Sequence, residues 1–219
     1  MRWIAQPQRR GKRPGQSGQG AVEFALVGGL FFFLVFSLVN AGFLLYSRAA
    51  VQNAADVGSA TLAAEGNCIV ANAGVCATPP AGCSANADAV AICRMDAAGL
   101  TSTPLIQVTE IDIWRIRQSN GAPVDQCDST GMIPGGGTLP CNDTTGCGGG
   151  YCENRYEVNG SLVPSTSVLW QPVSRNVGSN NADFARLVIS YQYSLIATAS
   201  VLHFSTSNVF RLEPQVLVS

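Results

Sequence analysis

The chain has 219 residues, of which 47% are hydrophobic and only 12% are charged, with a formal net charge of −1. This length suffices for one sizeable core or two small ones. The near-zero net charge hides an asymmetry, because residues 1–18 hold five of the thirteen Lys and Arg and none of the fourteen Asp and Glu. The remainder is acidic, which argues against nucleic acid as a partner.

A long apolar segment follows this basic leader of residues 1–18. No charged side chain occurs in residues 24–45, and a helix rising about 1.5 Å per residue would there cross the roughly 30 Å of a bilayer's hydrocarbon core. The sequence therefore predicts a transmembrane helix over residues 19–46. Five basic residues precede it and the single Arg48 follows it. This asymmetry predicts a cytoplasmic N-terminus and an extracytoplasmic remainder.

One acidic residue, Glu23, stands at the start of the apolar segment. A carboxylate at this depth is costly unless it stays near the head groups or finds a partner, which makes it a candidate functional residue. Small residues also recur there at a spacing of four, which predicts close approach by a second helix, and Ser37 and Asn40 would add interhelical hydrogen bonds. The predicted helix-packing residues are Ala21, Ala25, Gly29, Ser37, Asn40 and Ala41.

The helix is predicted to continue beyond the membrane through residues 47–66. This part lacks proline, is rich in alanine, and repeats apolar residues at helical spacing. Gly66 is a plausible C-terminal cap. We therefore expect one helix from Ala21 to Glu65, with its outer part packed on the domain that follows.

Residues 67–219, the predicted head, indicate an α+β fold. Ser84 is expected to cap a short helix over residues 85–98 that ends at Gly99. Residues 105–118 favour a strand, and their alternation changes phase twice, which predicts a bulge or a strand buried on both faces. A turn at Asn120-Gly121 follows.

The last third of the chain predicts an antiparallel sheet. Its strands are expected over residues 168–173, 185–196 and 205–213, with a polar loop over 176–183 before the second. In the second strand alternate residues fall on one face, which would pack against the outer part of the long helix. These residues are Leu187, Ile189, Tyr191 and Tyr193.

All eight cysteines lie beyond the apolar segment, in two groups of four. An even number in an oxidising compartment predicts a disulfide framework, although eight cysteines permit roughly a hundred pairings. The groups define Cys-rich loops over residues 67–93 and 127–152, the second expected to be a disulfide-pinned surface loop. The cysteines are Cys68, Cys76, Cys83, Cys93, Cys127, Cys141, Cys147 and Cys152.

Little in the sequence predicts catalysis or metal binding. The single histidine, His203, falls on a predicted strand and is interpreted as a sheet residue rather than a catalytic base. No lysine follows the leader, which removes a phosphate-binding loop. Three loop acids could bind calcium, but their spacing matches no EF-hand, so solvated acids are favoured: Asp125, Asp128 and Asp143. We therefore expect no cofactor, no metal and no enzymatic activity.

The N-terminal motif carries a family resemblance. A basic leader, a glycine, four residues, a glutamate, an aromatic residue and an apolar run resemble the prepilin signal of type IV and tight-adherence (Tad) pilins. The resemblance implies cleavage after Gly18 by a prepilin peptidase, so that Gln19 becomes the mature N-terminus and Glu23 the fifth residue. The motif here reads Gly18-Gln19-Gly20-Ala21-Val22-Glu23-Phe24.

The amino-acid sequence of this motif looks most like that of the TadE-like minor pilins. A second, looser match is the Arg-x-Glu-Pro signature near the end of the chain, Arg211-Leu212-Glu213-Pro214. The resemblance implies a structural protein of the inner membrane, and of the extracellular pilus if it is incorporated. Its partners would be major and other minor pilins, the inner-membrane assembly platform and lipid. It also implies that Glu23 and Phe24 act in subunit assembly, with Glu23 pairing with a neighbouring subunit's N-terminal amine.

A second interpretation belongs to another class of function. The chain would remain unprocessed, as a single-pass membrane protein whose extracytoplasmic Cys-rich head binds a surface ligand as a receptor or adhesin. Cleavage after Gly18 distinguishes the two interpretations, because only the pilin requires it.

Overall fold

The longest element is a single helix, α1, over Ser17–Glu65. The computed structural model describes residues 17–66, 86–116, 118–119, 122–123, 152–164, 166–177, 182–196 and 200–213. Its chain divides into two compact units, residues 1–43 and 44–219, and the boundary lies within α1. The predicted helix is thus confirmed, and it begins four residues before the expected Ala21.

The end of α1 is set by space around Gly66. A Cβ on Gly66 would lie 2.3 Å from the carbonyl oxygen of Leu62 and 2.8 Å from Cδ2 of Leu212. Real Cβ atoms do not approach other atoms this closely, so a larger residue would require the backbone or Leu212 to move. The helix ends where the sequence predicted, and the close approach of Leu212 adds a packing reason for the glycine.

The short helix α2 spans Ala87–Ala97, and its predicted cap was wrong. Asn86 is the N-cap, and its side-chain oxygen accepts a 2.8 Å hydrogen bond from the backbone N–H of Asp88. Asn and Ser are comparable caps, so sequence alone does not choose between Asn86 and Ser84. After the helix, Gly99 has a φ of +100°, the left-handed region that glycine adopts without strain.

A four-stranded antiparallel sheet has the order β4-β1-β5-β6. Its strands are β1 (Ile106–Ile116), β4 (Glu153–Tyr156), β5 (Phe184–Ser194) and β6 (Val201–Arg211). A separate two-stranded ribbon pairs β2 (Gln118–Ser119) with β3 (Ala122–Pro123) around the predicted turn at Asn120-Gly121, which lies outside the described residues. The α+β class is confirmed.

The predicted bulge in β1 is also confirmed. The register between β1 and β5 shifts between Val108 and Glu110. Beyond the shift, three successive residues are buried, Ile111, Asp112 and Ile113. Burial on both faces explains why the hydrophobic alternation changes phase along this strand.

Two strand predictions need correction. Residues 168–173 form no strand, because the backbone N–H and carbonyl of Trp170 are bound by the side chain of Asn154, at 2.9 and 2.8 Å. A short 3₁₀ turn, Pro172–Ser174, follows. The outer strand is instead β4, which the sequence prediction missed because four mostly polar residues carry little strand signal.

The core of the second unit joins α1, α2 and one face of the sheet. From α1 it contains Val51, Ala54, Ala55 and Leu62. The opposing residues come from the strands and α2, as Ile111, Ile113, Leu187, Ile189, Tyr191, Ile92 and Met95. The predicted inward face of the second strand is confirmed, since these β5 residues and Tyr193 are all buried.

Two of the eight cysteines lie in the described residues. Cys93 is in α2 and Cys152 directly precedes β4, and neither is a free thiol. The other six lie outside the described residues: Cys68, Cys76, Cys83, Cys127, Cys141 and Cys147. The disulfide framework and its pairing therefore stay predictions.

Candidate functional site

The first unit presents a continuous apolar helix surface. Phe24 is 79% exposed and Leu38 is 75% exposed, and the large apolar residues between them are also exposed. An 18-residue window of this helix has a mean hydropathy of 2.4, and none of it is buried within the chain. By length and composition the helix can cross a membrane. An exposed apolar surface of this extent indicates a membrane or a partner as its environment.

The predicted processing and assembly residues lie at the start of this helix. Gly18 falls in the first turn of α1, and Glu23 and Phe24 follow about one and a half turns further on. Gln19 is in the same helix, and its side chain is outside the described residues. Because each glycine lowers helix propensity by about 1 kcal/mol, Gly18 and Gly20 make this first turn easy to open.

The small residues of the apolar segment have open space around them. A Cβ added to Gly28, Gly29 or Gly42 would meet no atom of the described residues within 4 Å. Ala21, Ala25 and Gly29 follow one another at four-residue spacing, so one side of the helix is smooth over its first turns. Contacts among the described residues therefore do not require glycine at these positions.

The two polar residues of the segment bind within their own helix. The Ser37 hydroxyl donates to the carbonyl of Phe33 at 2.8 Å, and the Asn40 amide donates to the carbonyl of Phe36 at 2.9 Å. Such bonds satisfy polar groups in an apolar environment without a second helix. Interhelical hydrogen bonds from Ser37 and Asn40, and the packing of Ala41 beside them, stay predictions.

A buried ion pair, which the sequence analysis missed, organises the second unit. Arg175 binds Asp88 through two bonds, Nη1 to Oδ1 at 2.6 Å and Nη2 to Oδ2 at 2.7 Å. The two side chains are only 1% and 0% exposed. Asn154 and the Tyr156 hydroxyl each donate to Asp88 Oδ2 at 2.8 Å. A paired charge with this many hydrogen bonds is the arrangement in which burial is tolerated.

The same arginine ties this cluster to the end of α1. Its Nη1 donates to the carbonyl of Gly66 at 2.8 Å, and its guanidinium lies 4.5 Å from the ring centroid of Trp170. Burial and the neighbouring Asp88 raise the pKa of Tyr156, so its hydroxyl remains a donor at neutral pH. Asp88 and Arg175 are 87 residues apart, and no local pattern could have paired them.

A second charged cluster lies on the sheet face opposite α1. The Nε of Arg155 is 2.5 Å from Glu110 Oε1, 3.6 Å from Asp112 Oδ1 and 3.7 Å from Glu153 Oε1. Burial, together with the charges of Glu110 and Glu153, raises the pKa of Asp112 to about 8. Burial likewise raises the pKa of Glu153 to about 7, against the opposing effect of Arg155. The cluster therefore holds protons that ordinary surface acids release.

This face also contains a cavity of about 440 Å³. Its lining includes Asp112, Trp114, Arg155, Arg186 and the predicted sheet histidine, His203. Arg186 stacks over Trp114 at 5.4 Å from the ring centroid. An aromatic ring among charged side chains is suited to a polar ligand.

The described residues include no group of three or more His, Cys, Asp or Glu that could hold a metal ion. The predicted loop acids Asp125, Asp128 and Asp143 lie outside the described residues. The interpretation of these three acids as solvated rather than calcium-binding therefore stays a prediction.

Comparison with known proteins supports the N-terminal motif. Residues 18–59 match the family model described as TadE-like protein. No curated protein and no solved structure matches the chain. The matched range begins at Gly18, contains Glu23 and the apolar segment, and ends in the part of α1 that packs on the sheet. The resemblance to TadE-like proteins is therefore confirmed over residues 18–59 of this chain.

Proposed function

We propose that this protein is a minor pilin, or pseudopilin, of a Tad-type pilus. A prepilin peptidase removes residues 1–18, the apolar segment anchors the mature chain in the inner membrane, and residues 67–219 lie outside the cytoplasm. Its role is structural: it initiates, caps or decorates the filament with major and other minor pilins. The main support is the match of residues 18–59 to TadE-like proteins, over an apolar helix that the chain itself leaves uncovered.

Glu23 is proposed as the assembly residue, with the amine of Gln19 in a neighbouring subunit as its partner. In an apolar environment a charged pair is favourable only with good geometry, and an unpaired charge is penalised. A subunit carrying Glu23 would therefore be destabilised in any position that leaves the carboxylate without a cation. This dependence would direct the subunit into the filament, with Phe24 beside the contact.

The glycines and alanines of the apolar segment are proposed to face neighbouring helices. A Cβ at Gly28, Gly29 or Gly42 would meet nothing within 4 Å in the part of the chain that the structure describes. Each of these glycines nevertheless lowers helix propensity by about 1 kcal/mol. Close approach of a second helix is a physical reason for small residues in a membrane.

The first test is the mass of the mature chain, recovered from membranes with and without the cognate prepilin peptidase. We expect a chain that begins at Gln19 only when the peptidase is present. Gly18→Leu is the matched variant, because bulk at the cleavage position should block processing while leaving the apolar segment intact. An intact leader in every sample, or a cut after the apolar segment, would reject the pilin mechanism.

A second test separates assembly from processing. Glu23→Ala should still be cleaved but should be strongly depleted from sheared pili, because the contact with the Gln19 amine is lost. Glu157→Ala, which removes an acid from the second unit, is the control and should assemble normally. Normal incorporation of Glu23→Ala would remove Glu23 from the assembly mechanism.

One observation favours the alternative, an unprocessed membrane-anchored receptor or adhesin. The cavity lined by Asp112, Trp114 and Arg155 could hold a polar ligand at the surface of the second unit. This function requires an intact N-terminus, so the mass measurement decides between the two proposals.

A further inference from the structure

Several stretches of the sequence contain no Asp, Glu, Lys or Arg, and three of them concern us here. They are residues 24–47, 97–109 and 187–210. The first is the apolar segment with its last turn, and the other two belong to the second unit. Within the second unit, parts of all three meet at one end.

Contacts between α1 and β6 show which end this is. The guanidinium of Arg48 lies 5.0 Å from the ring centroid of Phe204, and Asp56 Oδ1 accepts a 2.8 Å bond from Asn208. Further along, the backbone N–H of Glu213 donates to the carbonyl of Ala63 at 2.8 Å. Residue numbers rise together on both elements, so β6 runs parallel to α1. The first residues of β6 therefore lie at the end of the second unit where that unit begins on α1, with Leu202 about level with Leu44.

Two further contacts bring the remaining charge-free stretch to the same place. The Ser47 hydroxyl donates to the carbonyl of Pro104 at 3.5 Å, and the backbone N–H of Ser194 donates to the carbonyl of Leu105 at 2.9 Å. The β5–β6 hairpin closes beside them, where Leu195 N–H donates to the carbonyl of Ser200 at 3.2 Å. We call this end the charge-free rim, made of residues 44–47, Leu105, Leu195, Ile196, Val201 and Leu202.

The rim presents apolar side chains outward. Val201 is 42% exposed and Leu202 is 36% exposed, and Tyr46, in the α1 part of the rim, is also exposed. The cation that directly follows residues 44–47 in the sequence, Arg48, has its guanidinium over the ring of Phe204. A tyrosine and an arginine next to aliphatic residues match the chemistry of a membrane interface.

We propose that the charge-free rim is a lipid-contact surface, which seats the second unit in the head-group region of the bilayer. This inference rests on the proposed membrane anchoring of residues 19–46. The rim follows that segment directly in the chain and carries no charge that contact with lipid would desolvate. Interfacial elements of this kind bury their apolar residues about 5–10 Å into the boundary between head groups and acyl chains.

A bilayer is favoured over a second protein copy because of continuity. Residues 44–47 are both the start of the rim and the last turn of the 24–47 charge-free stretch. The end of the charge-free apolar stretch is therefore itself part of the rim. Leu202 and Val201 lie on opposite faces of β6, so the apolar surface belongs to the end of the hairpin, which suits a plane of lipid.

The test uses the full chain reconstituted into phosphatidylcholine and phosphatidylglycerol vesicles, with one environment-sensitive fluorophore on an added cysteine. Val201→Cys places the fluorophore on the rim. Ser161→Cys is the matched exposed control at the opposite end of the second unit. Its neighbour Gly160 lies close to Ala89, which would be 3.7 Å from a Cβ on Gly160. Ala89 follows Asp88, which is linked through Arg175 to Gly66 at the far end of α1. Leu38→Cys reports on the apolar segment. Lipids carrying a nitroxide near the head group, or deep in the acyl chain, serve as quenchers.

We expect the Val201 fluorophore to be quenched several-fold more by the shallow nitroxide than the Ser161 fluorophore. The Leu38 fluorophore should be quenched mainly by the deep nitroxide. Quenching at Leu38 but not at Val201 would overturn the lipid-contact surface and leave the membrane anchor intact. A blue-shifted but unquenched Val201 fluorophore would assign the rim to a protein neighbour instead. Absence of quenching at Leu38 would reject the anchor and the rim together.

Discussion

The two parts of α1 differ in what surrounds them, although they are one continuous helix. Residues 17–43 expose their apolar side chains, whereas the part after residue 44 buries Val51, Ala54 and Leu62 in a core. The glycines show the contrast most directly. A Cβ on Gly29 would meet nothing within 4 Å, whereas a Cβ on Gly58 would lie 2.4 Å from the sulfur of Met95.

This difference separates two explanations for the type of residue found at a position in the helix. Contacts within the chain explain the buried residues of the second part of the helix, Val51, Ala54, Ala55 and Leu62, which belong to the core shared with the sheet and α2. Among the described residues no such contact explains the apolar residues of the first part, which points to an environment outside the chain. For an apolar helix of this length, a bilayer and neighbouring helices would provide that environment.

The largest expected effect on the stability of the second unit comes from breaking its buried ion pair. Asp88→Ala leaves Arg175 charged and buried without its carboxylate, because the guanidinium is only 1% exposed. Breaking such a pair costs roughly 3–5 kcal/mol of the free energy of unfolding. Chemical denaturation of the detergent-solubilised chain, followed by tryptophan fluorescence, would measure this loss.

Arg94→Ala is the control for that experiment. It breaks the ion pair with Glu65, in which the arginine side chain is 35% exposed. A pair this accessible should contribute no more than about 1 kcal/mol. Equal effects of the two variants would show that the Asp88 cluster does not hold the second unit together.

The comparison itself can be tested with matched glycine substitutions. Gly58→Ala forces a methyl group against Met95 and Leu187, so we expect a loss of roughly 1–3 kcal/mol from overpacking, partly offset by better helix propensity. Gly29→Ala should leave the free energy of unfolding of the second unit unchanged within about 0.5 kcal/mol. Destabilisation by Gly29→Ala in the same denaturation assay would contradict the separation of the two parts.

The charged face of the sheet makes the stability of the second unit depend on pH. The folded pKa values of Asp112 and Glu153, about 8 and about 7, lie above the ordinary values of 3.8 and 4.5. The folded state therefore binds more protons between these limits, and stability falls as the pH rises from about 4 to about 8. We expect a loss of roughly 1–3 kcal/mol between pH 5 and pH 8.

Asp112→Asn identifies the source of that slope. The amide mimics the protonated acid and cannot ionise, so the variant should lose less stability than the wild type as the pH rises. Denaturation curves of both proteins across the pH range provide the measurement. Parallel curves would show that the slope arises from other acids.

The smallest expected effect comes from the polar contact between α1 and β6. The Asn208 amide donates to Asp56 Oδ1 at 2.8 Å and to Ser59 Oγ at 3.0 Å. Because these groups are partly exposed, Asn208→Ala should cost about 1 kcal/mol. Ser207→Ala, on the opposite face of the same strand, is the control. No loss in Asn208→Ala would mean that apolar packing alone seats the helix on the sheet.

Elements with strong local signals were predictable. The apolar segment, the end of α1 at Glu65, the bulged β1 and the inward face of β5 all follow from composition or periodicity over ten or more residues. Short or polar elements were not. The four residues of β4 carry no hydrophobic alternation, and residues 168–173 lost their predicted strand because Asn154 binds the backbone of Trp170.

The sequence by itself determined the long helix, its uncharged segment and the motif at Gly18 and Glu23, because each is a local property of consecutive residues. Only the tertiary structure decided which residues meet across the chain. Asp88 forms an ion pair with Arg175, 87 residues away in the sequence, and parts of three charge-free stretches meet at one end of the second unit. Such meetings depend on how strands pair and on how the helix lies on the sheet, and periodicity within a segment carries no information about either.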